Sequence, residues 1–312
     1  MTNIDVTFHL SGGRSGHRLK NISSAILFSS MLGGQLVYND TWLKKGASIF
    51  TEDTLESKIK KAKSDDYYDK VVKINYRAVR GLKIEKALKI IKKTINASKN
   101  NNRVLLKILG GTRIHLHQAS EWEKQGLVSE GHFDKCVTTL RDWYSKESND
   151  NTKTIKDTFA IHARRGDVTK KMIEIGYDVH YYKKLINKIN KSCCDFNFCP
   201  EIRIYTEEQN SEDLQKLESI GNLKVIRGDA SNMKEHFNQL TRAEFLFLSW
   251  SSFCLWASVI STNSILVDST SELVHPKGKM KDYNLEAPIF DNHYFFKLKD
   301  LGNTIRGILE KK

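Results

Sequence analysis

The apolar positions of this chain switch repeatedly between the two-residue alternation of a strand and the three-to-four spacing of a helix. In the first half, Ile4 to Leu10 reads as a strand, Gly12 to Gly16 as a glycine-rich turn, Leu19 to Leu32 as a helix and Gln35 to Tyr38 as the next strand. Lys70 to Ile74 and Val104 to Ile108 continue the strands, and Leu82 to Ala97 and Gly131 to Ser145 the helices. Strands separated by helices predict a parallel sheet, because a parallel pair needs a crossover between its members.

The polar run Ser145 to Asp157 interrupts this grammar and is the candidate linker. It predicts two domains, residues 1–150 and 151–312. The second half then repeats the pattern. Strands are expected at Thr158 to His162, Ile202 to Thr206, Leu223 to Ile226, Phe245 to Leu248 and Ile265 to Asp268. Helices are expected at Val179 to Asn190, Ser211 to Ile220, Met233 to Arg242 and Ser252 to Ser261. The predicted fold class is α/β, with two Rossmann-like domains facing a cleft.

Ligands of such folds sit at the carboxyl ends of the strands, and three turns in those places carry suitable chemistry. The first, Ser11 to His17, follows a strand and opens a helix, so its amides can receive an anion. It lacks both the Gly-x-Gly-x-x-Gly spacing and the lysine of a P-loop. The second, His162-Ala163-Arg164-Arg165-Gly166-Asp167, presents two permanently charged planar forks that match phosphate oxygens in pairs, with Gly166 easing the turn. In the third, Ser249 to Phe253, Ser251 or Ser252 can cap the helix that follows.

Length and composition bound these readings. At 312 residues the chain suits two domains, and 39% hydrophobic with 28% charged residues is ordinary globular composition. Its net charge of +13 raises a nucleic-acid partner, but the lysines are spread over solvated helix faces without interleaved aromatic platforms, so none is expected. Peripheral contact with an acidic membrane or glycan surface suits that charge better. No apolar stretch approaches the ~20 residues of a membrane span, and Met1 to Leu10 does not read as a signal peptide, so a soluble, cytoplasmic chain is expected. The five cysteines lack paired Cys-x-x-Cys spacing and are expected as free thiols, with no metal site.

The three turns together resemble the fucosyltransferase superfamily of GT-B glycosyltransferases, especially the α-1,2- and α-1,6-fucosyltransferases. His162 to Asp167 matches the family's His-x-Arg-Arg-Gly-Asp motif, and Asp178 to Ile186 is similar to the helix that follows it. Ser251-Ser252-Phe253 with Trp256 and Ala257 resembles the Ser-Ser-Phe-Ser-x-Trp-x-Ala run, and Gly13 to Leu19 loosely echoes Gly-x-Gly-Asn-Gln-Leu. The resemblance implies a GT-B-like fold and transfer of fucose from GDP-fucose to a hydroxyl of a glycan acceptor, with inversion and without metal or other cofactor. It further implies that Arg164 binds the β-phosphate, that Ser252 and the Gly13 to Gly16 turn close around it, and that His162 helps hold the base. Arg165 and Asp167 match positions needed for activity and are expected to support the site.

Two positions depart from the family. Its guanine-reading aspartate is replaced by His236, with Glu235 beside it, so either Glu235 substitutes or the base is not guanine. Its Asn-Gln pair is His17-Arg18 here. The competing readings are a glycosyltransferase using another nucleotide sugar and a non-catalytic protein that binds anionic ligands or glycans. No general base is assigned among Asp167, Glu174, Asp178 and His17. No Asp-x-Asp occurs in the chain, so a metal-bridged diphosphate is not indicated.

Overall fold

The computed structural model describes residues 3–9, 15–43, 49–75, 103–109, 129–147, 153–165, 169–174, 176–207, 212–228, 231–249, 251–268 and 291–311, with positions 89, 93, 123 and 126. The chain divides into two compact units, Met1–Asn149 and Asp150–Lys312.

The first unit contains a parallel sheet of β1 (Asn3–His9), β2 (Gln35–Tyr38), β3 (Lys60–Lys61), β4 (Lys70–Asn75) and β5 (Arg103–Leu109), in the order β3-β2-β1-β5-β4. β5 is a near-continuous apolar run, as suits a parallel strand between covering layers, whereas β1 alternates, and Val6, Phe8, Val104, Leu105 and Leu106 are all buried. Helix α1 (Ser15–Leu32) packs on β1 and buries Leu19, Ile22, Ile26 and Phe28. It begins four residues before the apolar period does. Short helix α2 (Glu52–Glu56) is absent from the sequence-based prediction, and its N-cap is fastened by Glu147, whose carboxylate accepts from Thr51 N at 2.8 Å and Thr51 Oγ1 at 2.9 Å. Glu147 closes α3 (His132–Glu147), which lies against α1. The predicted helix Leu82 to Ala97 lies largely outside the described residues.

The second unit contains β6 (Ile155–His162), β7 (Glu201–Thr206), β8 (Leu223–Arg227), β9 (Ala243–Leu248), β10 (Ser264–Asp268) and β11 (His293–Phe296), again parallel, in the order β11-β10-β9-β6-β7-β8. Read from β8, this is the 3-2-1-4-5-6 arrangement of a dinucleotide-binding sheet. The helices between the strands are α4 (Thr169–Glu174), α5 (Val179–Cys194), α6 (Glu212–Gln215), α7 (Met233–Arg242) and α8 (Ser252–Ile260), and α9 (Leu301–Leu309) follows β11.

β6 is three residues longer than the alternation suggested, because its pairing with β9 slips between Ile155 and Phe159. The slip contains Asp157 at φ 55°, a left-handed conformation that aspartate tolerates better than most residues, and its N–H donates to Glu244 Oε2 at 2.7 Å. The linker is correspondingly shorter than Ser145 to Asp157, running only between Glu147 and Ile155. Beyond the slip, Phe159 and Phe245 stack with ring centroids 4.3 Å apart, in a core shared with Leu185, Ile186 and Ile189 of α5 and Ile305 of α9. The helix expected over Ser211 to Ile220 is cut to the single turn of α6, yet Leu214 and Leu217 are buried as its spacing required.

Among the described residues no helix is long and apolar enough to cross a membrane. All five cysteines are free.

Candidate functional site

The strand order of the second unit decides where chemistry can gather. From β6 the chain steps outward to β7 and β8, then returns past β6 and steps the other way through β9, β10 and β11. The turns after β6 and β9 therefore flank the switch point, where the crossovers diverge and leave room for a ligand. The arginine turn follows β6, and the serine turn follows β9.

His162 is the last residue of β6, paired in register with Tyr205 of β7, and Ala163 N donates to the Tyr205 carbonyl at 2.8 Å. The turn thus stays on the sheet for one further residue before the arginines. The two guanidiniums then part. Arg165 is fully buried: its Nη2 donates to the Tyr177 carbonyl at 2.7 Å, and its guanidinium carbon lies 5.4 Å from the centre of the Tyr182 ring. A charged donor on a carbonyl and an aromatic face partner this cation inside the core. Arg164 keeps an accessible edge and forms an ion pair with Glu207, the residue directly after β7. Glu207 also lies 3.7 Å from His162 Nε2.

The His162 ring is buried, and its Nδ1 has no hydrogen-bond partner among the described residues. Burial lowers its pKa to about 3, with the positive Arg164 and then His236 pushing in the same direction. The imidazole is therefore neutral at physiological pH, with one ring nitrogen able to donate and the other to accept. Phe253, at the start of α8, lies 5.6 Å from it between ring centroids.

Ser251 is the cap of α8. Its extended backbone (φ −147°, ψ 129°) sets its Oγ to accept from Phe253 N at 3.2 Å. Ser252 is the first helical residue, and its side chain lies outside the described residues, as do Gly13, Gly166 and Asp167. Gly16 and His17 fall in the first turn of α1, the His17 side chain being outside the description.

The neighbours on α7 separate by face. His236 is buried with its ring 5.4 Å from that of Tyr205, near the carboxyl end of β7. Glu235 is exposed and accepts from Gln239 Nε2 at 2.7 Å. Gly228, just after β8, makes room for His236: a Cβ there would lie 1.9 Å from His236 Cε1. The second unit thus brings His162, Arg164 and His236 together, and turns Glu235 to solvent.

Other candidate acids have plain structural duties or stand apart. Asp178 caps α5 by accepting from Tyr181 N at 2.8 Å, and Glu174 is exposed on α4. Trp256 is buried in its apolar helix, and Trp250 lies outside the described residues. No group of three or more acidic, histidine or cysteine side chains capable of holding a metal occurs among the described residues.

Two features of the site escaped the sequence. One is Glu207, whose only signal was an acidic pair, Glu207-Glu208, at the end of a predicted strand. The other is the pair Tyr181 and Asp268, in which the phenol donates to Asp268 Oδ2 at 2.8 Å at the end of β10. Burial, and then the negative Asp268, hold the Tyr181 hydroxyl protonated well above the ordinary tyrosine range. This contact ties α5, whose Tyr182 faces Arg165, to a strand beyond the switch point.

No protein-family model and no curated protein sequence matches the chain. Among solved structures it is similar to a point mutant of Arabidopsis thaliana FUT1 in complex with GDP, with 10% identity and a TM-score of 0.45 over 86% of this chain and 70% of that one. It is similar to E. coli heptosyltransferase WaaC with ADP-2-deoxy-2-fluoro heptose, with 9% identity and a TM-score of 0.39 over 99% of each chain. The fucosyltransferase NodZ from Bradyrhizobium gives 9% identity and a TM-score of 0.39 over 84% of this chain and 94% of that one.

Proposed function

We propose that the chain is a GT-B-type glycosyltransferase that takes a sugar from a nucleoside diphosphate donor, with GDP-fucose as the first candidate, and moves it to a hydroxyl of a glycan acceptor. The observation that carries this reading is Arg164, a cation with an accessible edge at the switch point of a dinucleotide-type sheet, in a run that reads His-x-Arg-Arg-Gly-Asp. Direct displacement suits such a site. The acceptor oxygen bonds to the anomeric carbon as the bond to the diphosphate oxygen breaks, with inversion; the diphosphate leaves with the electron pair, and the acceptor proton passes to a base.

What the chain supplies is stabilisation of the leaving group. Arg164 and the N-terminus of α8 meet the developing charge, and fixed donors of this kind contribute about 3–4 kcal/mol each in a dry site. Arg165 acts through the backbone, by holding the turn that carries Arg164. No metal is needed in this scheme. The neutral His162 offers the base a donor and an acceptor without adding charge.

A donor with another base is the second reading, favoured by the exposed Glu235 and the buried His236 where the resemblance expects a guanine-reading aspartate. Calorimetric titration with GDP, UDP and ADP in EDTA, on the native chain and Arg164→Ala, decides between them. Binding of GDP that falls at least about tenfold in the variant supports the proposal. A preference for UDP or ADP moves the donor, and binding of none of the three removes the enzyme reading.

A further inference from the structure

The partner of Arg164 is a carboxylate, which is an unexpected neighbour for a diphosphate. Glu207 follows Thr206, the buried last residue of β7, so the strand fixes where the acid emerges. Its side chain is about three-quarters buried (25% exposed) and sits between Arg164 and the Nε2 of His162. In this position its charge cancels that of Arg164 in surroundings where water screens poorly. A small anion approaching Arg164 meets a cation already paired, together with a negative charge beside it.

The same acid is placed where a nucleoside would lie. In a sheet of this order the acidic residue at the end of the second strand faces the sugar hydroxyls of a nucleotide whose phosphates sit at the end of the first. Here β6 is the first strand and β7 the second. A nucleoside brings several hydroxyl and N–H donors that can satisfy a carboxylate, whereas pyrophosphate, which keeps few of its protons at neutral pH, brings chiefly acceptors and negative charge. The buried Nδ1 of His162, lacking a hydrogen-bond partner among the described residues, is a second polar group on this side that a nucleoside can satisfy.

We propose that Glu207 is a specificity-determining residue: it pairs with Arg164, excludes simple anions, and releases the arginine only to a ligand that offers donors to its carboxylate as well as a diphosphate. The proposal rests on the transferase reading for the identity of the ligand, whereas the masking of Arg164 can be read with inorganic pyrophosphate alone.

The test is calorimetric titration of the full chain, Glu207→Gln and Glu207→Ala with pyrophosphate and with the nucleoside diphosphate that the native chain binds best. Near-UV circular dichroism identifies the variants that keep the native fold, and Glu207→Ala serves if Glu207→Gln does not. Removing one nearby negative charge raises pyrophosphate affinity about tenfold, while nucleotide affinity stays level or falls, so the preference for nucleotide shrinks by at least that factor. Pyrophosphate affinity that is unchanged or weaker in both variants overturns the proposal, for Glu207 would then merely position Arg164. If the native chain binds no nucleotide, the transferase reading fails, and masking still stands or falls on the pyrophosphate result.

Discussion

Arg165 donates to the carbonyl of Tyr177 from a position with no exposure at all, so the second arginine of the turn is a structural member of the core, whereas the first is partly exposed and pairs with Glu207. Arg165→Lys keeps the charge and loses the planar fork. It is expected to cost about 1.5–3 kcal/mol of stability, measurable as a lower urea midpoint, and to weaken nucleotide binding through the displaced turn. Unchanged stability in this variant would contradict the buried role.

His162 makes stability depend on acidity. Its folded-state pKa is near 3 while an unfolded histidine titrates near 6.5, so between these values the unfolded chain binds the extra proton. Stability from this group is complete above about pH 6.5 and is lost as pH falls towards 3, with a slope of up to about 1.4 kcal/mol per pH unit. Urea unfolding at a series of pH values should show a flatter acid limb for His162→Asn than for the native chain.

Gly228 has a packing requirement. A methyl group there would lie within 2.4 Å of His236 Nδ1 and 2.8 Å of Asn232 Oδ1, so Gly228→Ala must push the ring aside. A loss of about 1–3 kcal/mol is expected, as for other overpacked positions. Adding His236→Ala should recover part of that loss, and a double-mutant cycle in urea that shows no coupling would rule the contact out.

Tyr181→Phe removes the donor from a buried carboxylate. Thermal melting should report a loss of about 1–3 kcal/mol, and Asp268→Asn in the same background should return some of it by removing a buried charge that has lost this donor. Equal losses for Tyr181→Phe with and without Asp268→Asn would mean that the phenol matters only for packing.

Much of the second unit was legible because its strands are short apolar runs and its helices strongly one-sided. Met233–Arg242 has the bounds its spacing predicts, and Val179–Cys194 differs only in running on through a cysteine pair. Short edge elements left no such trace. β3 is two exposed lysines on an edge, and β11 is four residues whose role as a strand is set by the neighbouring β10. The arginine turn could be read from charge beside a strand end. The opposite duties of its two arginines could not, because they depend on Tyr177 just before α5, on Tyr182 within it and on Glu207 from across the β6–β7 register.

The strand order also carries a consequence for assembly. β6 lies between β7 and β9, and β9 is made only after β7, β8 and the four described helices α4 to α7 have been added to the chain. During synthesis from the N-terminus, one edge of β6 stays open until Leu248 has emerged, and closing it requires a loop around half the unit. The switch point between β6 and β9 is therefore among the last parts of this unit to be completed, and a chain interrupted before β9 exposes the apolar edge of β6, the segment from Phe159 to Ile161, to pairing with other chains.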